Sequence, residues 1–192
     1  MKKLRVRDLC LIALFTAITA VMAQIAIPVP FSPVPISCGM VGVYAAGMML
    51  SPRCALLSQI VYLLLGACGA PVFHNFKGGA GILFGPTGGY LLVYPLMALT
   101  IAVYFKFIGN KWGDTAISFA YVAGTAAALL MALLLLYTGG TAYLGLLLKI
   151  SFVQALVLGV YPYIALDIIK IVFSVLVLLP VRQRLAKQQL LS

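Results

Sequence analysis

The sequence predicts an all-α membrane protein, a single integral domain over residues 1–192 with six transmembrane helices and both termini cytoplasmic. Three observations carry this expectation. Hydrophobic residues make up 64% of the chain and charged ones 8%, against about 25% charged in a soluble domain. Mean hydropathy is +1.16, more apolar side chain than a soluble core could hide, so the solvent must be lipid. The apolar residues also fall in separate runs, divided by Pro- and Gly-rich stretches.

The first span is expected at residues 9–27, after the basic start MKKLRVRD. This run is too long for a signal peptide, has no clean cleavage site and is followed by further apolar segments, so it reads as a retained helix. PVPFSPVP (28–35) then places Pro28, Pro30, Pro33 and Pro35 within eight residues, which forbids helix and favours an extended outer loop. Spans follow at 36–50, closed by SPR, and at 54–70. A Gly-rich outer loop fills 71–89. The fourth span is 90–108, GNKWGD is a turn, and the fifth span is 115–137, closed by TGG. The last span is 163–180, ending at Pro180 before a polar tail. The apolar stretch within 138–162 is expected as an outer connection, partly a short helix packed on the outer side.

Charge decides against a seventh span. With six, Lys2, Lys3, Arg5, Arg7, Arg53, Lys106, Lys111, Arg182, Arg184 and Lys187 face the cytoplasm, ten of the thirteen basic residues. A seventh would carry the basic tail outside, against the positive-inside rule. The same rule accounts for the net charge of +10. No basic patch alternates with aromatics as in nucleic-acid grooves, so no nucleic-acid partner is expected. The acids are Asp8, Asp114 and Asp167, there is no Glu, and His74 is the only His. Cys10, Cys38, Cys54 and Cys68 form no CxxC and read as small apolar helix residues. No metal site is expected.

The candidate site begins with Asp167 and Lys170, three residues apart in ALDIIKIVFSVLVLLP. Asp167 precedes Pro180 by about 20 Å of helix, so with Pro180 as the inner boundary it falls in the outer third of a ~30 Å hydrocarbon layer. Ionisable groups at such depth cost several kcal/mol and must face the bundle interior, pair, or bind something. Mutual pairing on one helix face is one reading. The other is a cavity open to the outside, where a carboxylate and an ammonium offer adjacent acceptor and donor sites. A urea or amide fits that pattern, and a proton relay would also use an Asp.

The second feature is GGAGILFGPTGGYL (78–91), where flexible backbone leads into the fourth span. Gly permits close approach to a ligand, and N–H groups at a helix start favour acceptor groups. The stretch lacks the GK[ST] of a phosphate-binding loop and the strand context of a dinucleotide site. Its plainer reading is a tight turn with small residues for helix packing. Phe84 and Tyr90 are candidate pocket walls. On the first span Ala13 and Ala17 are four apart, a spacing that lets helices approach closely in lipid, within this chain or against another subunit.

FGPTGGYL at 84–91, Asp167-x-x-Lys170, six spans and about 190 residues together resemble the BioY family, the biotin-specific S-components of energy-coupling factor (ECF) vitamin transporters. The resemblance covers nearly the whole chain. It implies an S-component-like bundle in a prokaryotic plasma membrane that binds biotin near the outer face. By similarity, Asp167 and Lys170 contact the polar groups of biotin, while Phe84, Gly85, Thr87, Gly88, Gly89 and Tyr90 form part of the pocket wall. Ala13 and Ala17 match the AxxxA spacing by which S-components dock to their partner. The implied partners are a transmembrane coupling protein and two ABC-type ATPases. This chain carries no nucleotide-binding motif, so ATP is used by those subunits and the chain itself has no cofactor. The alternative is a proton-coupled secondary transporter with Asp167 as relay, although such proteins usually have internal repeats and more spans. An enzyme is least expected, because one His, no Glu and no paired acids leave no nucleophile–base set.

Overall fold

The computed structural model describes residues 5–28, 32–108 and 118–187. The Pro-rich residues 29–31, the GNKWGD turn, the first residues of the expected fifth span (115–117), Lys2, Lys3, Asp114 and the tail beyond 187 lie outside the described residues, as does the side chain of Lys187.

Helix α1 covers Val6–Gln24. The Arg5 N–H donates to the Asp8 carboxylate at 3.0 Å, which satisfies one orphan donor of the first turn. The chain then forms a two-residue strand, β1 (Ala26–Ile27), paired antiparallel with β2 (Ile36–Ser37). Helix α2 is Gly39–Met49 and α3 is Pro52–Ala67. Pro52 sits at a helix start, where its missing N–H is no loss. Gly69, at φ +100°, turns the chain beyond the α3 end. A 3-10 turn (His74–Phe76) and the single-turn α4 (Ala80–Leu83) lead into α5, Gly88–Phe107. Helix α6 is Phe119–Leu148, α7 is Phe152–Gly159 and α8 is Ile164–Lys187.

Four helices, α1, α5, α6 and α8, are long and apolar enough to cross a bilayer, whereas α2 and α3 have 11 and 16 residues. The expected span 36–50 therefore loses its first residues to β2. At about 1.5 Å per residue, α2 is only about half the thickness of a ~30 Å hydrocarbon layer. All eleven of its residues are buried, and it packs on α1, α3, α5 and α8. Its shortness leaves open space above its first turn, and that space becomes the site.

Two expected boundaries are corrected. The fifth helix does not stop at Tyr137 but runs through Gly139 and Gly140 to Leu148, where Lys149 (φ 55°) closes it. Gly costs only about 1 kcal/mol within a helix, and breaking backbone hydrogen bonds in lipid costs more. The connection expected over 138–162 thus shrinks to a turn and α7, held at its start by a reciprocal Ser151–Gln154 capping box. The last helix likewise passes Pro180 and continues to Lys187, because one proline removes one ladder bond and does not oblige the helix to end.

Lipid removes most of the hydrophobic drive between helices, so close approach and interhelical hydrogen bonds hold the bundle. A Cβ on Gly42 would lie 2.6 Å from the Thr19 backbone, and one on Gly47 would lie 2.7 Å from Ile101. The Thr16 hydroxyl donates to the Ser58 carbonyl at 2.8 Å, and Gln59 Nε2 donates to Thr19 Oγ1 at 3.2 Å. The outward faces carry exposed Leu14, Val21, Leu130, Leu134, Ile169 and Phe173, suited to lipid contact.

Candidate functional site

The site is built where the Pro-rich segment descends to α2 beside the first turn of α8. Pro33 and Pro35 keep that segment out of a helix, and hydrogen bonds fix its path. Ser32 Oγ donates to the Leu158 carbonyl at 2.8 Å, and the Tyr163 hydroxyl donates to the Val34 carbonyl. Ser37 Oγ accepts from the Gly39 N–H at 3.1 Å, which bends the chain into α2. The Ser37 carbonyl is thereby aimed at α8.

Asp167 lies in the first turn of α8, where the helix dipole favours an anion. It is buried at 3% exposure. Lys170 Nζ is 2.9 Å from Asp167 Oδ1 and donates to the Ser37 carbonyl at 2.8 Å. The Tyr137 hydroxyl donates to Asp167 Oδ2 at 2.7 Å. The acid and base therefore do pair with each other, and the pair lines a cavity. Three elements hold it: α8, the strand before α2, and α6.

That cavity has about 420 Å³ of empty volume, counting the part open to solvent. Tyr90, Tyr94, Tyr137 and Tyr163 line it together with Met40 and Leu136. A second chamber of about 370 Å³ shares Val34, Pro35, Ser37, Tyr90 and Tyr94 with the first and extends to Thr87 and His74. Aromatic faces with polar tips suit a ligand that is partly apolar and partly hydrogen bonding. Tyr90 holds its place because two glycines make room. A Cβ on Gly140 would fall 2.3 Å from its ring, and one on Gly159 would fall 2.1 Å from its hydroxyl, which donates to the Gly159 carbonyl at 3.1 Å.

The chain matches the BioY family over residues 1–187. It belongs to that family. It is 34% identical over 174 residues to the probable biotin transporter BioY of Pyrococcus horikoshii, covering 91% of this chain and 95% of that one. It is 33% identical over 177 residues to the biotin transporter BioY of Thermotoga maritima, covering 92% and 96%. Among solved structures it is similar to the crystal structure of the S-component for biotin from an ECF-type ABC transporter. That match has a TM-score of 0.80 and 26% identity, over 93% of this chain and 92% of that one.

Within this BioY-family chain the expected site residues divide into two groups. Asp167, Lys170 and Tyr90 line the first chamber, and Thr87 and Tyr90 line the second. Phe84, Gly85, Gly88 and Gly89 line neither. Phe84 is 74% exposed. Gly88 closes a tight turn, since a Cβ there would lie 1.8 Å from the Leu83 carbonyl, and Gly89 seats Tyr143 of α6. Gly88 and Gly89 thus form a turn and a packing surface next to Thr87 and Tyr90 at the cavity. Ala13 and Ala17 are both exposed on α1. Tyr94, Tyr137, Tyr163, Ser37 and Gly140 were not singled out from the sequence. Tyr94 had a signal, because it follows Tyr90 by one helical turn. The others come to the site only by tertiary packing. Among the described residues no group of three or more His, Cys, Asp or Glu could hold a metal ion.

Proposed function

We propose that this chain is the biotin-capture subunit of an ECF-type transporter. The observation that carries the reading is the Asp167–Lys170–Tyr137 network inside a tyrosine-walled cavity. Biotin presents adjacent N–H and C=O groups on its ureido ring, an apolar thiophane ring and a carboxylate tail. The ureido N–H groups donate to the Asp167 carboxylate and the ureido carbonyl accepts from Lys170. The thiophane ring packs on the tyrosine faces, and the tail runs into the second chamber toward Thr87 and His74. Before binding, the acid and base satisfy one another, so no bare charge waits in the membrane.

The basic helix ends face the cytoplasm and the cavity opens outward, in accord with the distribution of Arg5, Arg7, Arg53, Lys106, Arg182 and Arg184. Ala13 and Ala17 on the exposed side of α1 form the docking face for the coupling protein. Two ABC-type ATPases supply the energy, and the ligand is delivered inward. Asp167 already accepts from two donors, which suits a fixed acceptor better than a relay.

The test is retention of radiolabelled biotin by purified Asp167→Asn and Lys170→Ala. Each substitution removes a charged hydrogen bond and is expected to weaken binding by about 10- to 150-fold. Unchanged binding in both folded variants would remove Asp167 and Lys170 from the site.

A further inference from the structure

A cavity with three basic side chains lies at the opposite end of the bundle from the tyrosine-walled site. Here α2 ends at Leu50, α3 begins at Pro52, α5 nears its C-terminus and α8 carries Arg182. The cavity has about 830 Å³ of empty volume, and Arg53, Lys106 and Arg182 line it beside Leu50, Pro52 and Phe105. None of its lining residues is acidic. Arg53 and Lys106 are exposed at the rim. Arg182 is buried at 5% exposure, and its guanidinium carbon stacks 4.2 Å over the centroid of the Phe105 ring. Stacking fixes the plane of the guanidinium, the arrangement that Arg uses for bidentate contact with phosphate.

The surroundings say what kind of anion fits. Val103 on α5 and Leu176, Val177 and Val181 on α8 are exposed apolar side chains that precede Lys106 and Arg182 along the two helices, on their bundle-centre side. In the orientation proposed above, helix ends at this level meet the bilayer interface, where headgroups lie, and these apolar side chains continue toward the hydrocarbon. Basic pockets between transmembrane helices on the cytoplasmic side suit anionic headgroups. We propose that this cavity binds the phosphate headgroup of an anionic phospholipid from the leaflet at the basic end, with its acyl chains along α5 and α8. Lys106 and Arg53 draw the headgroup in, and Arg182 holds the phosphate. A free inorganic anion shares the headgroup chemistry but makes no use of the apolar flank.

The test is a native mass spectrometry titration of the detergent-purified chain with phosphatidylglycerol, phosphatidylcholine and inorganic phosphate. Phosphatidylglycerol is expected to bind at least about tenfold more tightly than phosphatidylcholine, and phosphate is expected not to displace it at equal concentration. Each cation removed at a membrane surface weakens anionic lipid binding by about fivefold. The exposed pair Arg53→Gln with Lys106→Gln is therefore expected to lose about 30-fold, and either single variant about fivefold, with phosphatidylcholine unaffected. These rim substitutions carry the test even if Arg182→Gln does not fold. Equal affinity for the two lipids, unaltered phosphatidylglycerol binding in the rim variants, or displacement by phosphate at equal concentration would each overturn the assignment. So would rim variants that keep the lipid and lose only association with an acidic partner protein.

Discussion

At the scale of single residues, the chemistry of the site rests on a few polar atoms with assigned partners. Lys170 is held between Asp167 and the Ser37 carbonyl, and Tyr137 caps the other carboxylate oxygen. His74, at the edge of the second chamber, is half-buried. Burial first, and the nearby Lys77 second, hold its imidazole below the ordinary value of 6.5. A depressed His value means that the unfolded chain binds the proton more readily. His74 therefore lowers stability as pH falls from about 6.5 through its folded-state value, and costs nothing above that window. Thermal melting in detergent between pH 7.5 and 5.5 checks this. The wild-type midpoint is expected to fall on acidification by more than that of His74→Gln, and parallel curves would mean that His74 carries no such linkage. Much at this scale was legible in the sequence. An acid and a base one turn apart in an apolar helix pointed to a lined cavity, because isolated charges are not tolerated there. Tyr137 and Tyr163 were not legible, because a tyrosine near a helix end in lipid is ordinarily an interface anchor.

At the scale of elements, α2 and α6 decide the architecture. The short α2 leaves the space that the cavity occupies, and the long α6 supplies both Tyr137 and the cleft for Tyr90. Gly140→Ala puts a methyl group into the Tyr90 ring. Overpacking of this kind typically costs about 1–3 kcal/mol. The variant is expected to melt earlier and to bind biotin more weakly, since Tyr90 must shift out of the cavity wall. Chemical denaturation and equilibrium binding read the two effects, and wild-type behaviour in both would show that the α5–α6 seam does not position Tyr90. The sequence misled here for a physical reason. TGG reads as a stop in water, where a broken helix is solvated, but in lipid the backbone stays hydrogen bonded and the glycines serve as a cleft. The α2 start was hidden likewise, because ISCGMVGVYAAGMML carries no charge and is apolar but for Ser37 and the glycines, and periodicity alone does not separate a strand from a buried helix in such a run.

At the scale of the whole molecule, the two ends differ in kind. One holds the cavity, the Pro-rich segment and the Gly-rich loop, and the other collects basic residues around a cavity lined by Arg53, Lys106 and Arg182. The proposed orientation puts the first end outside. Cys68 is exposed just beyond α3 at that end, whereas Cys10 lies near the start of α1 at the other. A membrane-impermeant maleimide applied to intact cells is expected to label the wild type and to fail on Cys68→Ala. Labelling that persists in Cys68→Ala and disappears in Cys10→Ala would invert the topology. The most direct test of biotin capture is isothermal titration of biotin into the purified, detergent-solubilised chain alone, with thiamine as control. Tight binding with one biotin per chain and no heat from thiamine are expected. A folded chain that takes up no biotin would contradict biotin capture.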